Sequence, residues 1–207
     1  MEIGIIGAGR IGGTLARRLA KSGNQVVVAN RSGAEAMAEL LSDLAGRGRA
    51  GTVEEAARAR DLVVVATPLT AWDDLPPEAF EGRIVVDTAN YSPQWIGPIE
   101  ALEKGSTSSE LLAARLPGAR VVKAFNTMRW QPLRDEGRPA GNPQRLAMPI
   151  ASDDEEAKAV VSRLIDELGF DAVDTGTLAE GGRRQQPGTP VYDEPIGAEE
   201  ARRRLGR

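Results

Sequence analysis

Residues Ile3 to Gly12 read I-G-I-I-G-A-G-R-I-G, and this stretch decides the fold. A short apolar strand runs into Gly7-Ala8-Gly9-Arg10-Ile11-Gly12. A helical pattern follows at once, with Ile11, Leu15 and Leu19 joined by the small Ala16 and Ala20 on one face. This is the G-x-G-x-x-G turn with a strand before it and a helix after it, the setting in which the turn binds a dinucleotide. Gly7 permits the tight turn, Gly9 lets a pyrophosphate approach the backbone, and Gly12 lets the helix pack close to the strand. Arg10 and Ile11 complete the loop as candidate cofactor contacts, and Arg10 could add a cation near the bound dinucleotide. The first N–H groups of the helix have no partner inside it and face the bound phosphates. In a chain with 23 glycines such a string can also be a plain glycine turn; the strand–helix context argues for the ligand.

Working outward, the first half alternates strand and helix. Glu2–Ile6, Gln25–Ala29, a weak Arg49–Thr52, Asp61–Ala66 and Arg83–Asp87 read as strands. Ile11–Lys21, Ala34–Ala45 and Val53–Ala59 read as helices, the last opened by a Thr-Val-Glu-Glu capping box at Thr52. Asp61–Ala66 is continuously apolar, as a strand buried on both faces must be. The second half continues with a helix at Ser106–Ala114, a strand at Arg120–Phe125 and a polar, proline-rich loop over Arg129–Gln144. A further strand is expected at Arg145–Ala151. Ser152 is read as the N-cap of an amphipathic helix with Asp153, Asp154, Glu155 and Glu156 in its first turn. Gly169 stops that helix, and Phe170–Thr175 is a last strand. The expectation is an α/β, Rossmann-like, doubly wound and mainly parallel sheet. Residues 1–178 are expected to form the dinucleotide-binding domain. Residues 179–207 are a loop-rich C-terminal extension, with a short basic helix at its end, that serves the acceptor site or a dimer contact.

Composition narrows the function. The 207 residues suffice for one sizeable core, and 27% charged with 41% hydrophobic residues is ordinary for a globular chain. A net charge of −4 gives no reason to expect nucleic acid or an anionic membrane as partner. There is no cysteine and no histidine, which removes thiol catalysis, cysteine-based metal sites and the commonest general base; no metal is expected. No apolar run approaches the ~20 residues needed to span a bilayer. Met1 stands one residue from the first strand, which leaves no room for a signal peptide, so a cytoplasmic location is the expectation.

The end of the second strand decides the dinucleotide. An Asp or Glu there would hold a free ribose 2′-hydroxyl. This chain places Asn30-Arg31-Ser32 at that point, with Asn30 18 positions beyond Gly12. Three hydrogen-bond donors, one of them cationic, suit a 2′-phosphate, so NADP(H) is expected over NAD(H), although Arg31 could also be a solvated loop residue. Ligands of such a sheet lie at the carboxyl ends of its strands. Those ends read Ala66-Thr67-Pro68-Leu69, Thr88-Ala89-Asn90-Tyr91 and Phe125-Asn126-Thr127-Met128. Thr67, Pro68, Ala89 and Asn90 are candidate cofactor contacts. Asn126 and Thr127 are candidate catalytic residues that hold the carboxamide or the incoming substrate. Each could instead cap its own turn. No acid–base pair stands out. Lys123 faces one side of its strand and reads as structural or as a ligand contact, and Tyr91 and Tyr192 are candidate proton donors.

At this point the chain resembles a known family. G-I-I-G-A-G-R-I-G, V-V-V-A-N-R-S and G-S-T-S-S-E-L-L-A-A-R-L-P-G-A-R-V-V-K-A-F-N-T-M resemble the coenzyme F420-dependent NADP oxidoreductases, over about Glu2 to Leu178. The resemblance implies hydride exchange between NADPH and a deazaflavin stacked in a cleft, 2′-phosphate binding by Asn30, Arg31 and Ser32, Asn126 and Thr127 beside the nicotinamide, and a homodimer. The chain departs from the family pattern at Gly181–Tyr192, which is polar. Arg183 and Arg184 there either receive an anionic tail or are solvated, and Trp130 and Tyr192 could wall the acceptor site. The alternatives are a different acceptor, whether imine, flavin or ferric chelate, and a non-catalytic NADPH-sensing module. A β-hydroxyacid dehydrogenase is disfavoured, because the lysines here supply no equivalent of that group's catalytic lysine.

Overall fold

Strand β1 (Glu2–Ile6) lies inside the sheet, third in its strand order, with the later strands laid down on either side of it. The computed structural model describes residues 1–206. In chain order the elements are β1, α1 (Arg10–Lys21), β2 (Gln25–Ala29), α2 (Ala38–Asp43), β3 (Gly48–Ala50), α3 (Val53–Ala57) and β4 (Leu62–Val65). Two 3-10 turns (Leu69–Asp74, Pro77–Phe80), β5 (Ile84–Asp87), α4 (Pro93–Ile96), α5 (Glu100–Glu103), α6 (Ser108–Arg115) and β6 (Arg120–Lys123) follow. The chain continues through α7 (Trp130–Asp135), β7 (Ala147–Ser152), α8 (Glu155–Glu167), β8 (Asp171–Gly176), α9 (Glu180–Arg183) and α10 (Ala198–Arg204).

The eight strands form one sheet in the order β3-β2-β1-β4-β5-β6-β7-β8, parallel except where β6 meets β7. The chain leaves β1 toward β2 and β3 and returns to β4 on the other side. The order therefore reverses between β1 and β4, and the crevice opens there. One face of the sheet buries Ile3, Ile5, Val64 and Val86 against α1 and α8, including Leu15, Leu19, Val161 and Ile165. The other buries Ile6, Val63, Val65 and Val85 against Phe80, Trp72, Leu112 and Ala56. Strands covered on both faces have no polar face to alternate, which is why LVVV and the first three residues of IVVD read as apolar runs. Among the described residues no helix is long and apolar enough to cross a membrane.

The structure corrects several expected elements. The helix expected over Ala34–Ala45 is broken into a 3-10 turn, Glu35–Met37, and a two-turn α2, because Met37 leaves helical geometry at φ −112°, ψ 7°. Met37, Leu40 and Leu44 still point inward. The segment Arg129–Gln144, expected to be loop, contains α7. Pro132 is tolerated in the first turn of α7, where its missing N–H has no intrahelical partner to lose. Ser152 is not the N-cap of α8. Strand β7 runs through Ser152, whose hydroxyl donates to the Val121 carbonyl at 2.7 Å. Asp154 takes the cap instead, its carboxylate accepting from the Ala157 N–H at 2.9 Å. Strand β6 stops at Lys123, two residues early, since Phe125 turns left-handed at φ +61°.

The last residues fold back onto the sheet. Gly181 and Gly182 of α9 are buried against β7, β8 and Thr107, and Val191 and Ala201 pack on Ala147 and Val173. This segment brings Gln185 and Tyr192 to the carboxyl end of β6.

Candidate functional site

The glycine turn has the geometry its residues imply. Gly7 sits at φ +103°, a conformation that L side chains rarely adopt. A Cβ on Gly12 would stand 1.9 Å from the Gly7 carbonyl oxygen, so only glycine allows this approach of α1 to the turn. A Cβ on Gly9, by contrast, would meet nothing within 4 Å. Gly9 is the N-cap of the twelve-residue α1 and offers no side-chain cap, so the positive end of the helix is left to a ligand.

Two cavities adjoin this turn. The first, about 720 Å³, is lined by Gly7, Gly9, Asn30, Arg31, Thr67 and Pro68 among others. Thr67 Oγ1 is buried without a hydrogen-bond partner, an arrangement that a ligand phosphate or hydroxyl would satisfy. The Arg31 guanidinium also lines this cavity and is held by the Asp74 carboxylate at 2.9 Å. Both side chains are roughly three-quarters exposed, so the pair is worth little and a phosphate can displace it. Asn30 Oδ1 accepts from the Ser32 N–H at 3.4 Å, and Ser32 lies outside the cavity lining.

The second cavity, about 580 Å³, is lined by Arg10 and Ile11 from α1, Asn90 beyond β5, Asn126 and Thr127 beyond β6, and Tyr192 from the C-terminal segment. Trp95 and Trp130 stand on its wall, and Trp95 is 88% exposed. Its polar centre is a pair of asparagines. Asn90 Nδ2 donates to the Asn126 carbonyl at 2.8 Å, and Asn126 Nδ2 donates to Asn90 Oδ1 at 3.1 Å and to the Gln185 carbonyl at 2.9 Å. Two acceptors on Nδ2 fix the orientation of the Asn126 amide. Its Oδ1 is left buried with no partner, ready for an N–H donor from a ligand.

A buried ion pair supports this centre. Asp87 ends β5 and Lys123 ends β6, in register, and both side chains are fully buried. Lys123 Nζ donates to Asp87 at 3.1 Å, to the Ala89 carbonyl at 2.8 Å and to Ser108 Oγ at 3.1 Å. The Asp87 carboxylate also accepts from the Ala89 N–H at 2.8 Å and from Ser109 Oγ at 2.6 Å. The serine-rich turn and the V-V-K strand thus meet in one saturated polar cluster, and Lys123 is committed to structure. Ala89 is buried in this network and, like Gly12, lines neither cavity. Arg183 and Arg184 also lie apart from both cavities. They donate to the carbonyls of Gly105 and Thr175 and border a separate depression near α10.

Sequence reading missed Asp74, Gln185, Trp95 and the ion pair between Arg129 and Asp193. Each reaches the site from a segment with no motif of its own. Asp193 carried the one available signal, since it stands next to Tyr192.

Comparison with known proteins places the chain among oxidoreductases. The family model described as NADP oxidoreductase, coenzyme F420-dependent, matches residues 2–91. Metalloreductase STEAP3 of Rattus norvegicus is 34% identical over 180 residues, covering 86% of this chain and 34% of that protein. The chain spans well under half the length of the curated relatives it matches. A hypothetical protein of Sinorhizobium meliloti superposes with a TM-score of 0.82 at 31% identity, covering 95% of each chain. A protein described as a candidate F420-dependent NADP reductase, from Arthrobacter sp. FB24, superposes with a TM-score of 0.76 at 27% identity, covering 95% of this chain and 99% of that one.

Proposed function

We propose that this NADP-dependent oxidoreductase, whose residues 2–91 match the coenzyme F420-dependent NADP oxidoreductase model, passes hydride between NADP(H) and a planar ring acceptor such as coenzyme F420. The observation that carries this reading is the placing of two cavities at one glycine turn, the first opening on Gly9 and Arg31 and the second on Asn90 and Asn126. When bound, NADP(H) supplies the hydride. Gly9 and the first N–H groups of α1 receive its pyrophosphate, and Thr67 Oγ1 gains the partner it lacks. Arg31 turns from Asp74 to the 2′-phosphate, with Asn30 and Ser32 beside it. Asn126 Oδ1 accepts from the carboxamide N–H, while Asn90 and the Gln185 carbonyl hold the amide in place. Trp95 and Trp130 give the acceptor ring aromatic surfaces on which to stack. The protein's contribution is then positioning of two rings and exclusion of water.

The similarity to a metalloreductase supports a second acceptor class, a flavin or a ferric chelate, within the same cofactor reading. One assay separates them. Protein, NADPH and coenzyme F420 are mixed, and the absorbance of both ring systems is followed. Turnover is the expected result. A folded protein that binds NADPH but leaves F420 untouched would reject that acceptor in favour of the second. Calorimetry tests the cofactor itself. NADPH should bind at least ~10-fold more tightly than NADH, about 1.4 kcal/mol, and Arg31→Glu should abolish the preference. Equal binding of the two would overturn the reading.

A further inference from the structure

Two tyrosines occur in the chain, and the structure separates them. The Tyr91 hydroxyl is committed outside the cleft: it donates to Glu103 at 2.6 Å and accepts from the Ile99 N–H at 3.0 Å. The Tyr192 hydroxyl lines the second cavity and accepts a long contact, 3.4 Å, from Asn90 Nδ2. Among the described residues that hydroxyl has no acceptor for its own proton. The backbone around it is held in an unusual state. Among the described residues three non-glycine residues have left-handed φ, and two of them, Phe125 at +61° and Asp193 at +58°, line this one cavity. They are tied together, since the Asp193 N–H donates to the Thr127 carbonyl at 2.7 Å while the Asp193 carboxylate takes the Arg129 guanidinium. Such conformations persist where the surroundings enforce them, and they concentrate at functional sites. Here they fix the loop carrying Asn126 and the loop carrying Tyr192 against each other, with Asn90 bonded to both.

We propose that Tyr192 is a catalytic residue, the proton donor to the acceptor, and that the acceptor is a conjugated nitrogen-containing ring that takes up a hydride and a proton together. The inference rests on the reductase reading above. Reduced nicotinamide dinucleotide is the two-electron reductant. As hydride forms a new C–H bond on the acceptor, the displaced π pair moves to a ring nitrogen. The Tyr192 O–H bond breaks, an N–H bond forms, and the phenolate takes a proton back from water. The sum is one hydride and one proton added to the acceptor, one solvent proton consumed, and the nicotinamide oxidised. The charged groups facing Tyr192 are Asp193 and Arg129 beside it and Arg10, which lines the same cavity from α1. Burial, and then the Asp193 carboxylate, push the Tyr192 hydroxyl above the ordinary tyrosine value, so it holds its proton throughout the neutral range.

The test compares wild type, Tyr192→Phe and, as control, Tyr91→Phe. The first readout needs no turnover: a spectrophotometric titration of tyrosinate, wild type minus Tyr192→Phe, isolates the Tyr192 hydroxyl. Ionisation above the ordinary tyrosine range is expected, and ionisation near neutrality would overturn the proposal. The second readout is turnover with NADPH, using coenzyme F420 and riboflavin as probes. Tyr192→Phe should lower kcat by about 10²-fold or more, while KM and Kd for NADPH stay within about twofold. The wild-type rate should fall at alkaline pH, and that limb should vanish in the variant, a change that a merely structural role would not produce. Equal rates and equal pH profiles for wild type and Tyr192→Phe would overturn this inference and leave the reductase reading standing. Absence of turnover with both probes by NADPH-binding wild type would overturn it as well, by removing the ring acceptor.

Discussion

Gly9 and Gly12 share a motif but answer to different forces, and the difference is measurable. A methyl group on Gly9 would project into open space at the head of α1, whereas one on Gly12 would drive into the Gly7 carbonyl. Gly9→Ala should therefore keep the thermal midpoint within about 2 °C and weaken NADPH binding by about 10-fold or more. Gly12→Ala should cost about 1–3 kcal/mol of stability, because the helix must shift away from β1. A thermal melt and a calorimetric titration on each variant check both halves. These two roles were legible from the motif, because residue type and spacing carry them. Gly4 was not. A Cβ there would stand 1.8 Å from the Ala56 carbonyl, and only the tertiary approach of α3 to β1 creates that constraint. Asp74 was hidden for the same reason: it meets Arg31 across 43 residues of sequence, from a 3-10 turn that has no periodic signal.

At the scale of elements, strands buried on both faces were the easiest to read and element ends the hardest. LVVV and IVVD admit little else, but the start of α8 was decided by tertiary pairing. Strand β7 keeps Ser152 because β6 lies antiparallel beside it, and the cap passes to Asp154. That choice has an acid signature. The Arg120 guanidinium, binding bidentately at 2.6 and 2.9 Å, and then the Ala157 N–H hold the Asp154 carboxyl at about 2, below its ordinary 3.8. A lowered value in the folded state means stability that is complete above pH ~4 and is lost as pH falls through the folded value. Asp154→Ala should cost about 1–2 kcal/mol at neutral pH, mostly as a lost cap with a partly solvent-screened ion pair. It should also flatten the stability profile between about pH 4 and 2. Denaturant midpoints at pH 7, 4 and 2.5 compare the two proteins, and an unchanged slope below pH 4 would show that Asp154 does not couple to folding. Helix α7 escaped sequence reading because Pro132 and its charged neighbours argue for loop. What fixes it is burial of Leu133 against the α1 side of the core and stacking of Arg134 over Trp130 at 4.9 Å.

For the whole molecule, the question is what joins the sheet to the cleft, and the Asp87–Lys123 cluster is where they meet. The pair ties two strands, the serine turn of α6 and the loop that carries Asn90 into one polar knot with no water access to either side chain. The sequence put Lys123 on a strand face and left it structural or ligand-binding; its partners settle it as structural, and no local pattern could have named them. A buried pair is costly to break from one side, because the remaining charge has neither solvent nor counter-ion. Lys123→Met conserves length and apolar volume but strands the Asp87 carboxylate. It should lower unfolding stability by about 3–5 kcal/mol, read from the denaturant midpoint at constant slope. The effect should reach the cleft, since Lys123 also holds the Ala89 carbonyl next to Asn90, and Asn90 orients Asn126. NADPH affinity should fall in the variant even under conditions where it remains folded. A variant that unfolds at the wild-type midpoint and binds NADPH as tightly would show that the cluster is not what couples the strands to the site.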